Sequence, residues 1–259
     1  SHNLESIDTT SMTHKLLLEV CMAAKYEGNS IDTHYPQHQR TNEDSPSQIC
    51  TMLARSFADI GDIVRGKDLF YGNSKEKEKR DELETNLKTI FGKIHEKLKD
   101  KEGAETRYGS DTTNYYQLRE DWWYANRATV WEAITCDVHG SDYFRQTCGD
   151  KETTATRVKD KCRCKDENGK KPGSNADQVP TYFDYVPQYL RWFEEWAEDF
   201  CRKKKKKLEK LEQQCRDYKQ NLYCSGNGYD CTKTIYKKGK LVIGEHCTNC
   251  SVWCRLYES

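Results

Sequence analysis

The stretch "DYVPQYLRWFEEWAEDFC" (184–201), followed at once by "RKKKKK" (202–207), decides how this chain is read. Val186, Leu190, Phe193, Ala197 and Phe200 recur at helical steps, and Leu208, Leu211, Cys215 and Tyr218 extend the stripe to about nine turns. Trp192 and Trp196 sit one turn apart beside it. In a polar chain such rings are valuable core material, because burying each large apolar side chain stabilises by about 1.5–3 kcal/mol. Trp192, Phe193, Trp196 and Phe200 are therefore expected to turn inward as a wall, rather than to line a cofactor box. Glu194, Glu195, Glu198 and Asp199 then take solvated positions. A helix this long outruns one packing partner and is expected to belong to two subdomains.

The rest of the chain explains why those rings matter. Of 259 residues only 35% are hydrophobic and 32% are charged, and the mean hydropathy is −1.02. Such values border on those of a disordered chain. Against disorder stand 11% aromatics, 5 prolines and 13 cysteines. Many cysteines in a chain with a thin core point to a disulfide-stapled domain of an oxidising compartment, since cross-links restrict the unfolded state. The formal net charge is zero, so no global field favours nucleic acid or anionic lipid. No apolar run is long enough to span a membrane, and no signal peptide opens the chain. Targeting and anchoring segments are expected elsewhere in a longer protein.

Periodicity predicts further helices. "THKLLLEVCMAAKYEG" (13–28) reads as an amphipathic helix ended by Gly28. Ser45 and Pro46 read as the cap and first residue of the next, whose stripe is Ile49, Leu53, Phe57, Ile60 and Val64, closing near Gly66. Leu83, Leu87, Ile90, Ile94 and Leu98 mark another, and Leu118, Trp122, Ala125, Thr129 and Ala133 a third. Residues 137–180 read as a long functional or variable loop. "KTIYKKGKLVIGEHC" (233–247) reads as a hairpin turning at Lys238-Gly239.

Two clusters carry candidate binding chemistry. Residues 200–221 hold nine basic and three acidic residues, with Arg202, Lys203, Lys204, Lys205, Lys206 and Lys207 consecutive. Residues 151–171 hold eight basic and four acidic, including Lys159, Lys161, Arg163, Lys165, Lys170 and Lys171. Ammonium groups on flexible stems suit sulfates as well as phosphates. A solvated helix surface is the plainer reading of the first run. Lys237, Lys238 and Lys240 would join the patch if the fold gathers them. Nucleic acid is a weaker target, because the cysteines argue for an oxidising compartment.

The cysteines Cys21, Cys50, Cys136, Cys148, Cys162, Cys164, Cys201, Cys215, Cys224, Cys231, Cys247, Cys250 and Cys254 are read as disulfide cysteines of unassigned pairing. "CTNC" (247–250) has the spacing of a zinc knuckle that His246 or Cys254 could complete, as in a zinc-stabilised intracellular protein. The absence of a second such pair favours disulfides, and no metal or other cofactor is expected. Histidines are scattered, and neither a nucleophile elbow nor a phosphate loop is present. No catalytic residue is assigned. The one sequon, Asn249-Cys250-Ser251, has a cysteine at its centre and is a poor acceptor.

Taken in order, "SPSQICTMLARSFADIGDIVRGKDL" (45–69), "LREDWW" (118–123), "TVWEAITC" (129–136) and "DYVPQYLRWFEEWAEDFC" (184–201) resemble the Duffy-binding-like fold. The resemblance is closest to the alpha class at the head of the erythrocyte membrane protein 1 adhesins of the malaria parasite. "VCMAAKYEG" (20–28) and "NGYDC" (227–231) agree with it. It implies a mainly helical, disulfide-stapled fold with long loops. Residues 1–44 would be the remainder of a loop-rich first subdomain, 45–200 a helical bundle carrying the variable loop 137–180, and 201–259 a two-helix, cysteine-rich third subdomain. It also implies a non-enzymatic, antigenically variable adhesin on the extracellular face of infected red cells, anchored by a transmembrane segment outside this chain. The implied partners are host red-cell or endothelial receptors, among them heparan sulfate and blood-group glycans as in rosetting, together with neighbouring adhesin domains and antibodies. A scaffold that only positions an adjacent receptor-binding domain is the alternative. The family's domain starts further upstream with additional cysteines, so the mate of the odd thirteenth cysteine is expected there.

Overall fold

Helix α5 (Tyr116–Ile134) is the axis on which the first part of the chain is built. A computed structural model describes residues 9–41, 48–70, 72–99, 101, 103–138, 162–163, 179–217, 222–224, 235–242 and 248–258. Its helices are α1 (Thr9–Thr41), α2 (Ile49–Arg65), α3 (Ser74–Leu98), the short α4 (Ala104–Tyr108), α5, α6 (Gln188–Cys215) and α7 (Thr248–Glu258), with a 3₁₀ turn at Phe183–Tyr185. The fold is mainly α, as expected. Among the described residues no helix is long and apolar enough to cross a membrane.

The chain divides into two units, residues 1–193 and 194–259, so the boundary falls inside α6. In the first unit α5 packs against α1 and α2. Phe57 of α2 lies between Trp123 (5.0 Å) and Trp131 (5.1 Å, edge-on), and Phe91 of α3 meets the Trp122 ring edge-on at 6.2 Å. These contacts require more than one stripe. Leu118, Trp122, Trp123, Arg127, Val130, Trp131 and Ile134 are buried, whereas Ala125 and Thr129, placed in the stripe by sequence, are exposed. A helix with neighbours on two sides buries a wider arc than one periodic face reveals. In α3 the buried positions are Leu87, Phe91, Ile94 and His95, while Leu83 is exposed.

Helix α1 corrects two expectations. It does not end at Gly28, and residues 9–41 form one helix rather than a loop-rich remainder. Gly28 is a contact residue: a Cβ there would stand 1.9 Å from the Ile134 carbonyl oxygen of α5. The glycine allows two helices to approach, which a local reading takes for a stop signal. Helix α2 starts after Gln48, an extended residue with no side-chain cap bond. Ser45 and Pro46, the expected start, lie outside the described residues. Its C-terminal end is as read, with Gly66 left-handed at φ 72° and its N–H closing the last turn. Helix α3 opens on a full capping box, Asn73 with Glu76.

The second unit holds the rest of α6, α7 and two small antiparallel ladders. Strand β1 (Arg216–Asp217) pairs with β2 (Leu222–Tyr223), and β3 (Ile235–Lys237) with β4 (Lys240–Val242). Lys238 and Gly239 both have positive φ, 48° and 74°. That is the two-residue turn whose twist matches a hairpin, at the predicted place.

Candidate polyanion-binding surface

What the first turn of α6 buries is ionic. Arg191 is 2% exposed and bonds two carboxylates of α2, Asp59 Oδ1 at 2.6 Å and Asp62 Oδ2 at 2.7 Å. Gln188 reaches Asp68 at 2.7 Å. Beside them Asp184 accepts two bonds from Arg127, both 2.8 Å, and one from the Trp123 indole at 3.0 Å. Burial pushes the Asp62 carboxyl above its usual range, although Arg191 and Arg65 pull it down. Charged positions therefore face the core at the start of α6, and the rings face outward.

This overturns the expected aromatic wall. Trp196 is 58% exposed, Phe193 64%, Phe200 43% and Trp192 37%. Glu194, Glu195, Glu198 and Asp199, expected on solvated positions, are only partly exposed. Periodicity marks an apolar face but not which way it points. Here the inward side was claimed by the arginine that meets Asp59 and Asp62. Within the second unit the Trp196 and Phe200 rings stack at 5.1 Å.

The basic run divides around the helix. Lys203 and Arg202 both pair with Asp199, the first at 2.6 Å. Hydrogen bonds from Lys203 and then Arg202 hold the Asp199 carboxyl below the usual range. The Lys204 ammonium donates to the Tyr257 carbonyl near the end of α7 and lies 4.8 Å from that ring and 5.6 Å from the Phe200 ring. Such a cation suits the negative end of a helix and the face of an aromatic ring. Lys203, Lys206 and Lys207 fall at i, i+3 and i+4, and Lys210 at i+7 continues the same face. Lys203 and Lys210 are exposed, Lys206 and Lys207 partly so. Lys210 was missed by counting a contiguous run, although the helical spacing was there to find it. Lys205 is exposed on another face.

The second cluster contributes differently. Arg163 points inward, donating to Thr135 Oγ1 at 2.8 Å and to the Glu132 carbonyl at 2.7 Å. Its guanidinium ties the loop to the end of α5. Lys161, Lys165, Lys170 and Lys171 lie outside the described residues, as does Lys159. Lys238 is exposed at the hairpin turn. The cavity between α1, α2 and α3, about 750 Å³ and floored by Leu16, Val20, Ile60, Leu87 and Ile90, touches none of the predicted binding residues.

Sulfur is bridged in part. Cys50 bonds Cys162, joining α2 to the long loop, and Trp131 donates to the Cys162 carbonyl at 3.0 Å. Cys215 bonds Cys250, joining α6 to α7. Cys224 is also disulfide-bonded. Cys21, Cys201 and Cys254, read as bridge cysteines, carry thiols, and the Cys136 thiol hydrogen-bonds the Asp137 carboxylate. Composition counts sulfurs but not the distances between them. Cys148, Cys164, Cys231 and Cys247 lie outside the described residues, as does His246. Because Cys250 is bridged to Cys215, its sulfur is not a thiolate ligand for the zinc knuckle considered above.

Comparison with known proteins adds to this geometry. Residues 1–191 match the family model for the Duffy binding domain, and residues 195–259 that for the Duffy-binding-like domain, C-terminal subdomain. Among solved structures, the NTS-DBL1(alpha-1) domain of Plasmodium falciparum membrane protein 1 (PfEMP1) from the varO strain is 36% identical with TM-score 0.63, covering 97% of this chain and 54% of that one. The PfEMP1 IT4var13 DBLbeta domain, bound to ICAM-1, is 30% identical with TM-score 0.55, covering 99% and 51%. A second PfEMP1 DBLb domain, bound to human ICAM-1, is 27% identical with TM-score 0.53, covering 94% and 39%. The chain thus spans about half the length of these relatives, or less. No curated protein matches it.

Proposed function

Because this chain belongs to the Duffy-binding-like family, we propose that it is a non-catalytic adhesion domain of a variant surface antigen, displayed outside the infected red cell and anchored by another part of its protein. Its proposed partner class is a host surface receptor, which the two ICAM-1-bound relatives support. The ligand we favour for this chain is a sulfated glycan of the heparan sulfate kind on red cells or endothelium. One observation carries that choice: Lys203, Lys206, Lys207 and Lys210 share one face of α6 over about 10 Å. Clustered ammonium groups form the sequence-tolerant, salt-sensitive contact that a polyanion requires.

Heparin chromatography in a salt gradient tests this reading. The parent chain is expected to elute above physiological ionic strength, and replacing Lys203, Lys206, Lys207 and Lys210 by Gln to move elution well below it. Gln at Lys75, Lys77 and Lys79, exposed on α3, serves as the control and should leave elution in place. Replacing Lys161, Lys165, Lys170 and Lys171 asks whether the loop shares the patch. Elution of the parent below about 0.15 M salt, where the Debye length is still about 8 Å, would remove the glycan. A blood-group sugar or a receptor protein would then stand in its place.

A second reading is favoured by the outward rings. Exposed Trp196 and Phe200 stack on each other on one helix face, and a paired apolar surface of this kind suits contact with further polypeptide. They support a scaffold that positions a neighbouring domain. Red-cell binding by this chain, compared with a chain that includes its neighbour, separates the two: a scaffold binds only in the longer form.

A further inference from the structure

Three sulfurs meet where α6 and α7 are joined. Cys215 at the end of α6 is bridged to Cys250 in the first turn of α7. Cys254, one turn further along α7, carries a thiol whose Sγ is 4.0 Å from Cys215 Sγ and 4.0 Å from Cys250 Sγ. All three sulfurs lie within 4.8 Å of one another. Cys215 and Cys250 are buried, at 3% and 1% exposure, and Cys254 is partly exposed. A thiol equidistant from both atoms of a disulfide lies beside the bond, so the Cys254 side chain has only to turn its sulfur onto the S–S axis to attack.

We propose that Cys215, Cys250 and Cys254 form a thiol–disulfide exchange site, in which one bridge from α6 alternates between two positions on α7. Cys254 releases its proton to water, and the thiolate attacks Cys215 Sγ. The Cys215–Cys254 bond forms as the Cys215–Cys250 bond breaks. The electron pair leaves on Cys250 Sγ, which takes a proton from water. One disulfide and one thiol are present before and after, so no outside oxidant or reductant takes part.

Geometry selects Cys215 as the sulfur attacked. The other product, a Cys250–Cys254 bond, would join residues four apart on a helix, whose Cβ atoms stand about 5–6 Å apart. A disulfide needs about 3.5–4.5 Å between them, so that product requires α7 to unwind. Exchange at Cys215 leaves α7 intact and keeps it tied to α6. The consequence is chemical: with the bridge at Cys250 the chain presents a partly exposed thiol at Cys254, and with the bridge at Cys254 the remaining thiol is the buried one. A surface thiol open to modification or mixed-disulfide formation is thereby turned on and off without redox change.

Disulfide mapping of the oxidised, never-reduced chain tests the proposal. The native chain is quenched in acid, alkylated with N-ethylmaleimide under denaturing conditions, and digested with trypsin and chymotrypsin. Cleavage after Trp253 separates Cys250 from Cys254. The expected result is two linked species, Cys215–Cys250 with alkylated Cys254 and Cys215–Cys254 with alkylated Cys250, the second at about one part in ten or more. Cys250→Ser should drive the bridge wholly to Cys254, and Cys254→Ser wholly to Cys250. Cys215 linked to Cys250 alone in the unvaried chain, with Cys254 quantitatively alkylated, overturns the proposal. So does Cys254 bridged to any other cysteine. The unvaried chain decides the matter even if a variant fails to fold.

Discussion

Replacing Asp184 by Asn should unfold the first unit's core far more easily than so small a change suggests. Asp184 and Arg127 are 0% and 1% exposed, and the carboxylate accepts both Arg127 bonds and the Trp123 indole. An amide of the same shape removes the charge and turns a donor toward the guanidinium. Two charge-assisted bonds are worth about 1.5–3 kcal/mol each, and breaking one side of a buried pair costs about 3–5 kcal/mol. We expect a loss of about 3–5 kcal/mol, much of a typical domain stability of about 5–15 kcal/mol. The assay is guanidinium unfolding of the oxidised chain, followed by tryptophan fluorescence, since Trp122, Trp123 and Trp131 all lie in this core. The midpoint should fall with little change in slope. The double variant Arg127→Met, Asp184→Leu should recover part of the loss. Recovery is incomplete because Arg127 also donates to the Thr181 carbonyl at 3.0 Å and the Trp123 indole loses its acceptor. A single variant within about 1 kcal/mol of the parent would refute the claim that a desolvated ion pair organises this core.

Three further outcomes concern the same unit. Gly28→Ala must push α1 from α5 by over an ångström, because its Cβ would stand 1.9 Å from the Ile134 oxygen. A loss of about 1–3 kcal/mol is expected, read as a lower Tm, and an unchanged Tm contradicts the close approach. Cys50→Ser opens a bridge across 112 residues and should cost about 2–5 kcal/mol; equal denaturation midpoints for the variant and the oxidised parent would show the bridge to be idle. The Arg107 guanidinium, hydrogen-bonded to Asp121 at 2.5 and 2.6 Å, outweighs burial and holds that carboxyl below its usual range, with help from the Tyr108 hydroxyl. Its folded pKa lies below the unfolded one, so its contribution is present above the unfolded value near 3.8 and is lost as pH falls through the folded value. Asp121→Asn should flatten that acid limb slightly, Arg107 being largely exposed; an acid limb of unchanged steepness counts against the pair.

The helices of this chain were legible because their cause is local. The α2 stripe from Ile49 to Val64, its glycine stop at Gly66 and the hairpin turn at Lys238-Gly239 each depend on neighbours a few residues away, and each stands where the sequence puts it. The ordered motifs likewise led to the family. Local rules misread Gly28, because what it accommodates is a carbonyl 106 residues further on. They also undercounted α5, which packs on two sides.

The candidate surface was half legible. Six consecutive cations were plain in the sequence, but the face of α6 proposed to bind is the spaced set Lys203, Lys206, Lys207 and Lys210, while Arg202 pairs with Asp199, as Lys203 does, and Lys204 meets Tyr257. Arg163 reads as a loop cation until the end of α5 is seen beneath it.

By itself, then, the sequence determined that this is a helical, sulfur-rich, charge-balanced chain with a strongly basic helix, because composition depends only on which residues are present and period only on their order. Which way the rings of α6 face, which arginines are buried and which three sulfurs meet were decided by tertiary structure alone. A helix carries its faces wherever it goes, but the partner that claims one of them, here Asp59 and Asp62 for Arg191, arrives from more than a hundred residues away.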